Sequence, residues 1–272
     1  MLKTTQPVTI PHPELEPRAT RPLLIDPEGI AMIWQRDMVR LWRQRSRLLG
    51  AVARALVWLF ALGFGLRGSL GSIAGFSYEQ FVFPGVIAMT VIFSGLQSAI
   101  SIVYDREFGF LKEVQVAPTP RSTMVIGKCL GGASSSTIQA LVILLFAPFA
   151  AVSLTPLNVL ATIVATFVTA LAISGMGVVI AMWITDFENF GTFQNFITLP
   201  LYMFSGAIFP TRQVPPWLHT VLLLNPLSYG VNAIRGLLLG YQIADVPFNL
   251  AVLLAFTLAM LIIAILMTRR EV

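Results

Sequence analysis

Acidic side chains are absent from every long apolar run of this chain. Proton- and sodium-coupled carriers usually place ionisable groups inside the bilayer, so that absence counts against ion coupling. Backbone carbonyls can still bind sodium, which keeps an ion-coupled secondary carrier as one alternative. A membrane-bound lipid-modifying enzyme is another, but the apolar runs offer it no carboxylate and no histidine. The two histidines, His12 and His219, lie far apart in sequence and suggest no metal site. A single cysteine, Cys129, permits no internal disulfide. The motifs H-E-x-x-H, G-x-S-x-G and G-x-x-x-x-G-K-[ST] are all missing. The nearest approach to the last is Gly127–Lys128, but Cys129 follows it and Ser122 stands where the first glycine belongs. No catalytic or metal-binding residue is therefore expected, and the chain has no P-loop with which to bind ATP.

Charge is scarce as well. Charged residues make up 11% of the 272 positions, against about 25% in soluble domains. Hydrophobic residues make up 56%, and the mean hydropathy is +0.78. The chain reads as an all-α polytopic membrane protein. Lys and Arg number 18 against 13 Asp and Glu. In a membrane protein that excess holds loops in the cytosol, so no nucleic-acid partner is expected.

A spanning helix needs about 20 apolar residues. Six segments approach this: Leu48–Leu66, Phe81–Tyr104, Met124–Pro148, Leu157–Ile184, Phe193–Phe209 and Leu250–Met267. Six spans place both termini on one side. With the termini inside, the cytosolic flanks carry Arg36, Arg40, Arg43, Arg45, Arg47, Arg106, Lys112, Arg121, Lys128, Arg269 and Arg270, and the opposite side carries Arg67, Arg212 and Arg235. That bias puts the termini in the cytosol. Residues 1–27, with six prolines and no signal-peptide core, read as a disordered cytosolic tail. Residues 28–47 read as an amphipathic interfacial helix and residues 48–272 as the six-span domain. Strands play no visible part.

In the 28–47 helix, Ile30, Trp34, Met38 and Leu41 share one face, with Arg36, Arg40, Arg43 and Arg47 opposite. The pattern suits a helix lying on lipid. It fits a plain positive-inside anchor and equally a helix that touches a partner. Arg54 lies six residues past Leu48, about 9 Å along the axis. It can snorkel to the interface or serve as a buried functional charge.

Between the second and third spans the charge is dense. Five of the nine residues from Asp105 to Glu113 are charged: Asp105, Arg106, Glu107, Lys112 and Glu113. Phe108 and Phe110 lie among them, and Arg121 closes the stretch. Interfaces centre on buried aromatics with a polar rim, so this cytosolic island reads as a docking element rather than a mere spacer.

Polar residues inside the spans mark a candidate substrate path: Ser94, Gln97 and Ser98 in the second span, and Gln194, Asn195, Phe196, Met203 and Phe204 in the fifth. Each suits helix–helix packing equally. The same choice holds for Ser134–Thr137 and Gln139 in the third. After the fifth span, Trp217–Leu224 and Gly230–Tyr241 are too short to cross, and Pro215, Pro216 and Pro226 break the run. They read as a pair of short re-entrant or interfacial helices, the second capped by Asn225. Arg235 there can face a cavity, pair with a backbone carbonyl or reach outer headgroups.

Four stretches carry a family resemblance. "NPLSYGVNAIRGLLLG" (Asn225–Gly240) resembles the closing signature of type-2 ATP-binding-cassette permeases, with Asn225, Pro226, Tyr229 and Arg235 at its defining positions. "YEQFVFPGVIAM" (Tyr78–Met89), "DREFGFLKEVQVAPTPRSTMVIGK" (Asp105–Lys128) and "FSGAIFP" (Phe204–Pro210) resemble that family in the same order. The nearest flavour is that of bacterial drug-export and lipo-oligosaccharide- or polysaccharide-export permeases. The resemblance implies a permease subunit in the bacterial inner membrane, paired with a second copy and with two ATPase subunits that bind ATP and Mg. It also implies that the Asp105–Glu113 island contains the helix coupling permease to ATPase.

Overall fold

The computed structural model describes residues 25–66, 68, 71–73, 75–107, 120–184, 187–211, 214–241 and 245–270. Nine α-helices account for most of these residues. They are α1 (Pro27–Arg43), α2 (Arg45–Trp58, continued by a π-helical segment Leu59–Phe64), α3 (Tyr78–Glu107), α4 (Arg121–Leu144), α5 (Pro156–Trp183), α6 (Phe187–Met203), α7 (Pro216–Leu224), α8 (Pro226–Leu239) and α9 (Val246–Arg270). One short hairpin, Ser72–Ile73 paired with Phe76–Ser77, precedes α3. Its two-residue strands were too short to register in the sequence pattern.

Six of these helices fall on the six expected apolar runs. Four are long and apolar enough to cross a membrane: Arg45–Phe64, Tyr78–Asp105, Pro156–Trp183 and Val246–Thr268. Of the other two, α4 carries the polar run Ser134–Thr137 and Gln139, and α6 has 17 residues with Pro200 inside it. Helix α3 is longer than the apolar run it contains: Glu79 precedes that run, Asp105 and Glu107 follow it, and no carboxylate lies between.

Helices α3 and α5 form the centre. Helix α5 packs against α3, α4, α8 and α9, and α3 also meets α4, α6 and α8. Most of α3 is buried, whereas little of α2 and α9 is. Glycines permit the closest approaches. A Cβ on Gly132 would overlap Ser98, and one on Gly230 would overlap Thr169.

Helix α1 starts with a side-chain cap, the backbone N–H of Glu28 donating to Asp26 Oδ1 at 3.1 Å. Pro27 occupies its first turn and Arg40 and Arg43 its last, matching the helix dipole. The helix stops at Arg43, because Gln44 leaves helical geometry at φ −93°, ψ 60°. Arg45 and Arg47 therefore belong to α2, not to one continuous 28–47 helix. Its packed face also differs from the expected apolar stripe. Gly29, Ile33 and Asp37 lie against Thr123, Gly127 and Gly131 of α4, each four residues on from the last, so the two helices run parallel. Trp34 is 41% exposed yet its indole N–H donates to Ser134 Oγ at 3.0 Å.

The chain breaks between α6 and α8, and its loose backbone groups find partners. Met203 ends α6, and Gly206 adopts φ +73°, which glycine tolerates without strain. Asn225 Nδ2 donates to Leu201 O at 2.7 Å and Phe204 O at 2.9 Å, while its Oδ1 caps α8 by accepting from Leu227 N at 2.9 Å. Arg235 is fully buried. Its Nη2 donates to Gly206 O at 3.0 Å and Ala207 O at 3.1 Å, and its guanidinium lies 3.9 Å from the Phe81 ring centroid. Of the roles open to Arg235 in the sequence, carbonyl pairing is the one observed.

Replacing Arg235 with Met should lower stability by roughly 2–4 kcal/mol, because two buried carbonyls lose a charged donor. Thermal unfolding of the purified protein in detergent checks this. Arg235→Lys should recover only part of the loss, since an ammonium lacks the planar fork.

Candidate functional site

The end of α3, where the charged island begins, is braced by a buried ionic cluster. Lys128, in the second turn of α4, is 3% exposed. Its Nζ donates to Ser101 Oγ at 2.8 Å and lies 3.5 Å from Asp37 and 3.6 Å from Asp105. Arg36 Nη2 meets the same Asp105 carboxylate at 3.1 Å. Two carboxylates and two cations thus join α1, the end of α3 and the start of α4. Charge of this kind is tolerated in a buried place only when paired and hydrogen-bonded. It explains why Asp37 lies on the packed face of an otherwise arginine-rich helix.

Of the island residues, Asp105 is in this cluster. Arg106 and Glu107 complete α3, and Arg121 opens α4. Phe108, Phe110, Lys112 and Glu113 lie outside the described residues. Among the arginines expected on α1, Arg36 is in the cluster, and Arg40 shares a small pocket with Asp37, Arg47, Ser98 and Ser101. Arg43 is exposed near the end of the helix.

The candidate path residues separate into two groups. Ser94 and Gln97 line a cavity of about 210 Å³ between α2, α3 and α4, together with Arg47, Gly50, Ala51, Arg54, Phe93 and Gln139. Gln97 Oε1 also accepts from Gln194 Nε2 of α6 at 3.0 Å, so this amide pair ties α3 to α6. Ser98 lines the adjoining small pocket. Asn195 and Phe196 are exposed on the outer face of α6, Phe196 at 77%. Met203 and Phe204 are half-exposed at its end, with the Phe204 ring 6.5 Å from Trp217 in an edge contact. These four do not enter the cavity. Neighbouring positions 196, 199 and 203 instead make one apolar stripe.

Between α7 and α8, Tyr229 Oη donates to Leu223 O at 2.9 Å, closing the turn around Asn225 and Pro226. The Pro84–Gly85 pair has a local purpose as well. A Cβ on Gly85 would sit 2.6 Å from Ala207 O, so glycine lets the 205–208 turn settle on α3. Three of the four stretches that carry the family resemblance therefore meet around Arg235. The cluster around Lys128 and the cavity were missed in the sequence. Both depend on α1 and α2 packing beside α3 and α4, which no local pattern reports.

Residues 28–239 match the family model described as ABC-2 type transporter. Nodulation protein J of Rhizobium leguminosarum bv. trifolii is 25% identical over 244 residues, covering 88% of this chain and 92% of that protein. The inner membrane transport permease YadH of Escherichia coli strain K12 is 27% identical over 245 residues, covering 86% and 92%. A ycf38 protein of Cyanophora paradoxa is 28% identical over 212 residues, covering 76% and 73%.

Asp105→Asn should destabilise the protein more than Arg36→Gln does. Asp105 faces both the buried Lys128 ammonium and Arg36, so its loss removes two charge pairs and leaves Lys128 with Asp37 alone among the described carboxylates. Arg36 is half-exposed, and its pair is worth under about 1 kcal/mol. Unfolding midpoints of the two variants in the same detergent test the order.

Proposed function

The chain belongs to the ABC-2 type transporter family, and from that premise we propose that it is the permease half of an exporter driven by a separate ATPase. It is a transport permease and not an enzyme. The observation that carries the proposal is the pairing of an absent P-loop with a charged, aromatic island at the braced end of α3. A pump without its own ATP site is driven through a contact. The island leaves α3 two residues past Asp105, where α1 and α4 hold the helix end by ionic contacts.

In this reading Phe108 and Phe110 are the apolar anchors, with Arg106, Glu107, Lys112, Glu113 and Arg121 as the polar rim. ATP and Mg reside in two ATPase subunits, and a second copy of this chain completes the permease. The six long helices cross the inner membrane with both termini cytosolic, and α7 and α8 form a re-entrant pair on the outer side. The exposed apolar stripes of α2 and α6, including Phe60, Phe64, Phe196 and Leu199, suit contact with lipid or with the second copy. The cargo is amphipathic or lipid-linked, moved outward.

Co-expression with a cognate ATPase subunit tests the coupling. Phe108→Ser and Glu107→Lys should each reduce co-purified ATPase and stimulated turnover by tenfold or more, with the permease still folded. Unchanged assembly and turnover would remove the island from the coupling path, and transport independent of the ATPase would favour an ion-coupled carrier.

Topology is tested by single cysteines at positions 110 and 214 in a Cys129→Ser background. A membrane-impermeant maleimide should reach position 214 in intact cells and position 110 only after the inner membrane is opened.

A further inference from the structure

The cavity between α2, α3 and α4 is lined by cations and amide donors without a carboxylate. Its α2 wall is Arg47, Gly50, Ala51 and Arg54, spaced i, i+3, i+4 and i+7 on one helical face. The two small residues leave a trough between two guanidinium groups whose Cα atoms are separated by about 10.5 Å along the axis. The Arg54 guanidinium rests 4.3 Å from the Phe93 ring centroid, and Arg54 has no ion pair among the described residues. Arg47 Nη2 is buried without an acceptor. Asp37 shares the adjoining pocket with Arg47 but faces Lys128 at 3.5 Å. Gln139 is 1% exposed, and its Nε2 also lacks an acceptor.

Orphaned buried donors are costly, and here two of them, Arg47 Nη2 and Gln139 Nε2, line one cavity together with Arg54. An oxyanion satisfies all of them, since guanidinium groups and amides both donate to phosphate oxygens. The setting adds an apolar requirement. Val57, one turn beyond Arg54 on α2, is 63% exposed and continues the same side of the helix into the apolar zone. We propose that this cavity binds the phosphate headgroup of an anionic amphiphile, held by Arg47, Arg54 and Gln139, with its tails leaving along α2 past Val57. The proposal rests on the transport reading only for its membrane setting. Neither the coupling island nor the second copy contributes to the site.

The test uses the full-length permease, purified and delipidated in a neutral detergent, without nucleotide or ATPase. The unfolding midpoint is followed while phosphatidylglycerol, phosphatidylcholine or inorganic phosphate is titrated in. Phosphatidylglycerol should raise the midpoint at the lowest concentration. Arg54→Gln and Gln139→Leu should each need at least tenfold more of it for the same rise, and Arg54→Lys should fall between them and the parent. Should Arg54→Gln fail to fold, Gln139→Leu and Arg54→Lys carry the comparison. An equal response to phosphatidylglycerol in the parent and Gln139→Leu, or equal stabilisation by phosphatidylcholine, would overturn the site. Inorganic phosphate acting as well as the lipid would overturn the amphiphile and leave a free-anion site. Failure here leaves the transport reading standing. An intact lipid response in a protein whose transport ignores the ATPase would overturn that reading instead.

Discussion

A helix that stops inside a packed core leaves carbonyl groups that must find partners there, and the arrangement around Arg235 follows from that constraint. Helix α6 ends at Met203, and the chain then turns through Ser205–Ile208 before reaching α7. The turn survives because α8 delivers a fully buried guanidinium to its carbonyls and Asn225 delivers an amide. Each partner imposes a further demand. Arg235 needs a face to rest on, which Phe81 supplies. The turn needs room against α3, which Gly85 supplies. Tyr78 Oη then donates to Ile208 O at 3.1 Å and holds the far edge. The arginine is thus the junction of α3, α8 and the turn that follows α6.

The opposite end of α3 solves a different problem by charge. Asp105 cannot be buried alone, and Lys128 cannot either, so each makes the other tolerable. Adding Arg36 and Asp37 draws α1 onto α4 and accounts for the aspartate on the packed side of an arginine-rich helix. Gly127 and Gly131 make that approach possible, because Ile33 and Asp37 occupy the space their side chains would fill. The reading of α1 as a surface helix therefore needs amending in one respect: one side of it is an interhelical seam.

Much of this was legible in residues. The prolines at 215, 216 and 226 and the cap at Asn225 mark α7 and α8 because proline and Asx chemistry act locally. The six apolar runs mark the six long helices for the same reason. The partners of Arg235 were not legible as a unique choice, since its acceptors lie nearly thirty residues away on a turn that carries no motif for them. The stop at Gln44 was hidden because neither proline nor glycine stands there, and helical periodicity continues through it. The Gln97–Gln194 bond and the cavity arise from the packing of separate helices, which a single strand of sequence does not encode in any local signal. The small residues Gly50 and Ala51 were visible, but they become a trough only with Phe93 and Gln139 opposite.

Helix α3 connects the two ends of this logic. It runs unbroken through thirty residues, about 45 Å, from the Tyr78–Phe81 contacts to the ionic cluster at Asp105. Within it Pro84 cannot donate to Gln80 O, and the hydroxyls of Thr90, Ser94, Ser98 and Ser101 bond back to carbonyls of their own helix. Under the proposed coupling, a displacement at the island would meet α1 and α4 through Lys128, α6 through the Gln97–Gln194 bond, and the Arg235 junction near Pro84. The cavity lies beside this path, lined by Phe93, Ser94 and Gln97 of the same helix. Any displacement of α3 relative to α2 changes the distance between Phe93 and Arg54, and with it the shape of the cationic trough. The end of α3 begins the island and its flank lines the cavity, so the proposed coupling and the proposed ligand site both bear on this one helix.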